Sequence, residues 1–240
     1  MPADRTPEAT RHLPTRDLVD VRLADALGRP GCPACRGRLD AEARFLDAWL
    51  YERVQDVRTR RELDESRGLC DAHIHGLLAA DRERAGGGLG TAILYESMLR
   101  LRLHEVVAAH HERGGRGRKK KLTDAAAAPR CMVCREAMAG ERLVLSGLLA
   151  HLGDPAWAAA IATAPFCLGH LRALMEAGSG DPRWMSVEQR QIARLHTLAD
   201  RLRSFSHHSS HDRRHLRTPD EEASVDEGAS ALGGERRPTR

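Results

Sequence analysis

Apolar residues recur at helical spacing along most of the chain. Between residues 41 and 65 they fall three or four positions apart, which predicts a helical face made by Phe45, Leu46, Trp49, Leu50, Val54 and Val57. After an interruption at Ser66, Arg67 and Gly68, a shorter helix is predicted from residue 70 toward residue 81. The later part of the chain repeats this order, with a helix over 135–151, a break at Gly153-Asp154-Pro155 and a short helix over 157–163.

A longer amphipathic helix follows each of these segments. The first is marked by Leu89, Ile93, Leu99, Leu103 and Val106, and the second by Val187, Ile192, Leu195, Leu198 and Leu202. One more helix is predicted upstream, through Leu18, Val21, Leu23 and Leu27. Aromatic residues make up only 3% of the chain against 41% for all hydrophobic residues, so aliphatic side chains must build most of the core. That composition favours helices over strands, and we predict an all-α fold.

The positions of the cysteines indicate an internal duplication. Cys131 lies 99 positions after Cys32, and Cys167 lies 97 positions after Cys70. Each half therefore carries a Cys-x2-Cys pair followed by a Cys-x2-His pair, and the pattern includes all six cysteines. The match extends beyond the cysteines and histidines. Four more pairs of identical residues lie 99 positions apart, namely Arg36 and Arg135, Glu42 and Glu141, Leu46 and Leu145, and Leu50 and Leu149.

Three cysteines and one histidine in each half form a complete set of metal ligands. A Cys-x2-Cys turn points two thiolates at one ion, and a cysteine and a histidine three positions apart share one face of a helix. Four protein ligands close a tetrahedral site, which is typical of structural zinc, and we predict two zinc ions per chain. An iron–sulfur cluster is the alternative with the same ligands, although the closely spaced cysteines of ferredoxins are missing.

The spacing alone does not fix which residues share an ion. In the simple interpretation each half holds its own ion, one on Cys32, Cys35, Cys70 and His73 and the other on Cys131, Cys134, Cys167 and His170. A crossed arrangement between the two halves would use the same eight residues.

Four charged residues next to these ligands are candidates for a supporting role. Arg36 and Arg135 each follow the second cysteine of a turn, where they could offset the net negative charge of three thiolates on a divalent ion. Glu42 and Glu141 could accept the free ring N–H of a ligand histidine. The alternative for both glutamates is a carboxylate that interacts with a helix N-terminus.

The duplication predicts two tandem helical repeats, at 17–111 and 130–206, each with its own Cys3His site. Residues 112–129 are rich in glycine and basic side chains, which predicts a flexible linker. We predict disorder for the polar N-terminus, 1–16, and for the C-terminal tail, 207–240, because the tail loses its apolar periodicity.

Charge and hydropathy bear on the possible partners and on the cellular compartment of the protein. A net charge of +4 is mild for 240 residues and does not by itself imply a nucleic-acid or membrane partner. No run of about 18 apolar residues and no signal-peptide core are visible, so we predict a cytoplasmic protein with no membrane partner. In a reducing compartment the cysteines are expected to bind metal or do redox chemistry rather than form disulfides.

No catalytic motif is visible: the chain lacks a glycine-rich phosphate loop, a Gly-x-Ser-x-Gly elbow and a His-Glu-x-x-His helix. The leading hypothesis is a non-enzymatic zinc-binding protein whose repeats support a surface for a protein partner. In a second hypothesis the cysteines form a thiol redox site or a redox-controlled zinc switch, in which oxidation joins Cys32 to Cys35 or Cys131 to Cys134. A third is nucleic-acid binding through the basic run at 116–121.

The Cys-Pro-x-Cys element at Cys32–Cys35 and the Leu-Cys-x-x-His element at Leu69–His73 resemble those of a bacterial family known only as a domain of unknown function. The segment Ile93-Leu94-Tyr95-Glu96 is also similar, and the resemblance covers roughly residues 17–206. The second half departs slightly, with Met132 in place of Pro33 and Phe166 in place of Leu69. The resemblance implies the two-fold pattern and zinc binding but no activity.

Overall fold

The computed structural model describes residues 13–84, 87–112, 115–117, 119 and 131–236. Throughout this part the regular elements are helices and no strand occurs, which confirms the all-α prediction. The main helices are α1 (Leu18–Leu27), α2 (Pro33–Ala48), α3 (Val57–Glu65), α4 (Asp71–Glu83), α5 (Leu89–His110), α6 (Met132–Ala150), α7 (Pro155–Thr163), α8 (Leu168–Ala177), α9 (Pro182–His207) and α10 (Pro219–Gly233).

Side-chain caps begin several of the helices at the positions where the sequence changes from loop to helix. Asp17 accepts the N–H groups of Val19 and Asp20 at the start of α1, and Asp56 accepts that of Thr59 at the start of α3. Helices α7 and α9 combine an aspartate cap with a proline in the first turn, where the missing N–H has no cost.

The chain divides into two compact units. The first joins Met1–Leu39 to Gly140–Arg240, and the second consists of Asp40–Ala139. The boundaries differ from the predicted tandem repeats, because α2 and α6 each begin in one unit and end in the other. The largest fully buried side chains of the first unit are Leu23, Leu148, Trp157, Ile161, Phe166 and Trp184. Those of the second unit are Leu46, Trp49, Leu63, Leu77, Leu94 and Met132.

The predicted disorder of the C-terminal tail is wrong for most of that segment. Helix α10 begins with a capping box. The Thr218 side chain accepts a hydrogen bond from the N–H of Glu221, and the Glu221 carboxylate accepts one from the N–H of Thr218. The helix packs against α9 and α8. Apart from Glu221, its buried residues are small, namely Ser224, Gly228 and Ala231, so no large apolar side chain reveals the helical period in the sequence.

The predicted apolar face of α5 is also wrong. Leu94 and Met98 are buried, together with Thr91 and Ala109. The residues that marked the predicted face, Leu89, Leu99, Leu103 and Val106, are mainly exposed to solvent. Of the predicted disordered N-terminus, residues 1–12 lie outside the described residues, and of the predicted linker at 112–129, residues 113–114, 118 and 120–129 lie outside them.

Candidate metal centres

Two helix starts bring together the first group of ligands. Cys32 directly precedes α2 and Cys35 lies in its first turn. Cys167 is the N-cap residue of α8, and His170 lies in the first turn of that helix. The four side chains converge, with all donor atoms within 4.8 Å of one another. We call this group the first site, and all four of its residues belong to the first unit.

The second group is built in the same way from α6 and α4. Cys131 directly precedes α6, and Cys134 lies in its first turn. Cys70 is the N-cap residue of α4, and His73 follows in the first turn. Their donor atoms also lie within 4.8 Å of one another. We call this group the second site, and it lies within the second unit.

The structure therefore brings all eight predicted ligands into two groups, but the pairing within each half is wrong. Each site takes its Cys-x2-Cys turn from one half of the chain and its Cys-x2-His pair from the other. The reason lies in α2, which leads away from Cys35. His73 contacts Glu42, about two turns farther along that helix, so Cys70 and His73 meet α2 well beyond its cysteine end.

In the first site one histidine nitrogen lies close to three sulfur atoms. His170 Nδ1 lies 3.4 Å from Cys32 Sγ, 3.3 Å from Cys35 Sγ and 3.1 Å from Cys167 Sγ. Cys35 Sγ lies 3.8 Å from Cys167 Sγ. The same ring nitrogen thus faces all three sulfur atoms.

The second site repeats this geometry. His73 Nδ1 lies 3.0 Å from Cys70 Sγ, 3.6 Å from Cys131 Sγ and 3.3 Å from Cys134 Sγ. Cys70 Sγ lies 3.7 Å from Cys134 Sγ. All six cysteines are free thiols, since none of these distances approaches a sulfur–sulfur bond of about 2.05 Å.

A tetrahedral metal ion fits this spacing. Bonds of about 2.3 Å to sulfur and about 2.0–2.1 Å to nitrogen, at tetrahedral angles, separate two sulfur atoms by about 3.8 Å and sulfur from nitrogen by about 3.6 Å. One sulfur pair in each site, at 3.8 Å and 3.7 Å, agrees with the first value. The sulfur–nitrogen distances lie between 3.0 Å and 3.6 Å, so most are shorter than the second value. Both Cys3His groups could therefore hold a metal ion.

A glutamate lies behind each histidine. Glu42 Oε2 is 3.5 Å from His73 Nε2, and Glu141 Oε1 is 3.3 Å from His170 Nε2. These contacts leave Nδ1 free to face the sulfur atoms and fix the orientation of the ring. Each glutamate lies seven residues after the last cysteine of its own helix, so α2 and α6 each give thiols to one site and a carboxylate to the other.

Without an ion, the sites concentrate opposite charges. Burial opposes the imidazolium form, but the thiol groups and glutamates raise the pKa of His73 to about 10 and that of His170 to about 12. Burial likewise opposes the Cys131 thiolate, but the hydrogen bond from His73 lowers the pKa of Cys131 to about 6. Hydrogen bonds from Cys32 and Cys35 lower the pKa of Cys167. A bound cation would take over the positive charge that these protons supply.

The two arginines that follow the cysteine turns are held by other groups. Arg36 donates to the carbonyl oxygen of Pro30 and lies 3.9 Å from the Glu235 carboxylate. Arg135 donates to Glu62 at 2.8 Å. A third arginine was missed in the sequence: Arg194 in α9 is half-buried and donates to the carbonyl oxygen of Phe166, the residue before Cys167. No spacing rule connects it to the cysteines.

Polar side chains fix the short segments that lead into Cys167 and Cys70. The buried amide of Gln191 accepts the N–H of Phe166 at 3.2 Å and donates to the carbonyl oxygen of Ala164 at 2.9 Å. Ser66 Oγ lies 3.0 Å from the carbonyl oxygens of both Leu63 and Gly68. Gln191 gives hydrogen-bond partners to two backbone groups beside Cys167, and Ser66 adds a donor near the carbonyl oxygens of Leu63 and Gly68.

The two sites differ in exposure. The three cysteines of the first site are buried, with exposed fractions of 2% for Cys32, 2% for Cys35 and 5% for Cys167. In the second site Cys131 is buried, but Cys70 and Cys134 are only partly buried.

No protein-family model, curated protein or solved structure matches the chain. In the part of the chain that the structure describes, every helix is too short or too polar to span a lipid bilayer.

Proposed function

We propose that the protein binds two zinc ions, one in each Cys3His site, and that these ions stabilise a helical scaffold that binds another protein. The observation that supports zinc is the donor set: three sulfur atoms and one imidazole nitrogen at tetrahedral spacing in both sites. Donors within 4.8 Å of one another fit a single ion more closely than a cluster that must enclose several iron and sulfide atoms.

A structural role follows from the closed coordination. Four protein ligands leave no position for water or substrate, so the ion has no open coordination site for chemistry. Structural zinc contributes on the order of 10–16 kcal/mol of apparent folding free energy, which exceeds the net stability of about 5–15 kcal/mol of most domains. Protein without metal should therefore lose much of its helical structure.

Elemental analysis tests the zinc proposal. The protein is purified without added metal and without a histidine tag, and its metal content, free thiols and helicity by circular dichroism are measured before and after chelation. We expect about two zinc ions per chain, with thiols released and helicity lost together on chelation. Folded protein without metal, or protein that holds iron, would refute the proposal.

The proposed partner is a protein because α5 exposes apolar side chains. Leu99, Leu103, Val106 and Val107 lie within a little more than two turns of that helix and are all more than 40% exposed. Contiguous exposed apolar side chains often mark a protein-binding surface. A photoreactive amino acid in place of Leu103 should give a discrete cross-linked product in cells, whereas the same group in place of exposed Asp64 on α3 should not. Equal labelling at both positions would refute this surface.

The partial exposure of Cys70 and Cys134 supports a second candidate function, redox-controlled release of zinc from the second site. Their sulfur atoms are 3.7 Å apart, so a disulfide requires them to approach by less than 2 Å. Two thiolates would transfer two electrons to hydrogen peroxide, which takes up two protons and leaves as two water molecules. Peroxide at sub-millimolar concentration should then release one zinc ion reversibly, and thiol reductants should restore binding. Zinc retention under peroxide would refute this candidate.

A further inference from the structure

The residues that follow α10 lie against the thiols of the first site. A Cβ atom added to Gly234 would lie 2.9 Å from Cys35 Sγ and 3.7 Å from Cys167 Sγ, so only a glycine permits this approach. Gly234 also has a φ of 71°, which disfavours other residues. Gly234 thus lies close to the sulfur atoms of two of the four candidate ligands.

Glu235 is held at this position by both its side chain and its backbone. Its carboxylate lies 3.9 Å from the Arg36 guanidinium, and its carbonyl oxygen accepts a hydrogen bond from Arg38 at 3.1 Å. Its side chain also covers Gly31, where an added Cβ atom would overlap the carboxylate oxygen. These partners belong to the turn before α2 or to the start of α2, close in sequence to Cys32 and Cys35, so the segment 234–235 lies over that turn.

The position of this segment is set by α10. The helix packs on α8, which carries His170, and on α9. The close contact with α9 is made at Gly228, where an added Cβ atom would lie 3.3 Å from the side chain of Leu202. Because α10, a helix of 15 residues, is packed against both neighbours, the residue that follows it, Gly234, has a fixed position.

The segment 234–235 limits the access of water and reagents to the sulfur atoms of the first site, in line with the low exposure of Cys35 and Cys167. A cysteine sulfur reacts with an electrophile only when the reagent can reach it, so this segment lowers the reactivity of both cysteines. The partly buried Cys70 and Cys134 of the second site are more accessible.

We infer that the C-terminal segment Gly234–Glu235 is a cover of the first metal centre, which makes the first ion slow to exchange and leaves the second ion exchangeable. The inference rests on the proposed function, because it requires zinc in both sites. It assigns to α10 a role in metal retention, and it predicts that the two ions leave the protein at different rates.

Zinc release and thiol modification measure this difference directly. Zinc-loaded full-length protein is mixed with a chromophoric chelator, and in parallel with N-ethylmaleimide, followed by mass spectrometry of each cysteine over time. We expect release in two phases of one ion each, with Cys70 and Cys134 modified in the fast phase and Cys35 and Cys167 in the slow phase.

Two variants remove the cover and one serves as a matched control. Gly234→Ala and a chain that ends after Gly233 should each accelerate the slow phase at least tenfold and leave the fast phase unchanged. Gly233→Ala places a methyl group where nothing lies within 4 Å and should behave as the wild type. Unchanged helicity by circular dichroism in all three variants would show that the effect is local.

The outcomes separate this inference from the proposed function. If the wild type holds two zinc ions but releases both at one rate, or if neither variant accelerates the slow phase, the cover has no role and the zinc proposal stands. Fewer than two zinc ions in the wild type would refute both.

Discussion

The first and second sites share their ligand types, their helix positions and the glutamate behind the histidine, but they differ in their surroundings. Three buried cysteines, the half-buried Arg194 and the end of α10 enclose the first site. The second site has two partly buried cysteines. A duplicated ligand pattern thus produces two sites with the same donor atoms, and the residues outside the pattern decide how accessible each site is to solvent.

Loss of a ligand should give the largest effect and should test whether the two sites are independent. Cys35→Ser should remove the first ion and most of the free energy of folding that it provides, on the order of 10 kcal/mol. Cys134→Ser should do the same to the second site. Native mass spectrometry should find one zinc ion in each variant, and thermal unfolding should show an early transition that corresponds to the affected unit.

The control for these two variants is a serine substitution at a buried residue that is not a candidate ligand. Ala137→Ser in α6 meets this condition and should keep both ions. Loss of both ions in either single variant would show that the sites depend on each other.

Acidification should release the second ion with a steep dependence on pH. Without metal, the thiol of Cys131 and the Glu42 carboxylate overcome burial and raise the pKa of His73 to about 10, and burial raises the pKa of Cys134 to about 12. Both groups are therefore protonated at pH 7–9 and must lose their protons when zinc binds. The release of these two protons should contribute a rise of about 100-fold per pH unit in the apparent affinity over this range, and the stability that the ion provides is lost as the pH falls.

Chelator competition at pH 7, 8 and 9 measures this slope, and calorimetry in buffers of different ionisation enthalpy counts the protons released. A slope near zero would contradict the charge distribution described for the second site.

Removal of the carboxylate behind each histidine should weaken metal binding selectively. Glu42→Gln should lower the affinity of the second site for zinc by about 10–100-fold. The neutral amide is a weaker acceptor for the Nε2–H of His73 than the carboxylate, so the ring is oriented less firmly. Glu141→Gln should lower that of the first site by a smaller factor within the same range, since the Glu141 side chain is more exposed, at 28% against 11% for Glu42. Competition titrations that resolve the two ions check this, and an effect of Glu42→Gln on the first site would contradict it.

The segments that lead into Cys167 and Cys70 should differ in their sensitivity to substitution. Gln191→Leu leaves the N–H of Phe166 and the carbonyl of Ala164 without this partner, at a cost of about 2 kcal/mol. Ser66→Ala should cost about 1 kcal/mol, because the carbonyl oxygen of Leu63 keeps a hydrogen bond from the N–H of Gly68. Denaturant unfolding of the zinc-loaded protein measures both values, and a larger loss for Ser66→Ala would contradict this ranking.

Much of the fold and the ligand set could be predicted from the sequence because they depend on local patterns. Helical periodicity located several of the helices, although the single helix predicted over 41–65 is divided between α2 and α3 and neither α8 nor α10 was predicted. Spacing identified all eight candidate ligands of the two sites. Glu42 and Glu141 were found because they repeat at a fixed distance from the cysteines. These signals are short-range, so a single chain contains them.

The crossed pairing and α10 could not be predicted because they depend on contacts between distant segments. Both pairings use the same residues at the same spacings, so the choice between them depends on contacts between distant segments, such as that of His73 with Glu42 on α2. Helix α10 buries small residues, so its period is invisible to a hydrophobicity pattern. Arg194 and Gln191 act from α9 on the segment before Cys167 with no motif to mark them.

The most direct test of the central claim is the zinc content of two double variants, measured by native mass spectrometry and elemental analysis. Cys32→Ser with Cys167→Ser removes two ligands of the first site alone, and the protein should keep one zinc ion. Cys32→Ser with Cys70→Ser removes one ligand from each site, and the protein should keep none. The opposite result, no zinc in the first variant and one ion in the second, would show that each half of the chain binds its own ion and would contradict the crossed sites.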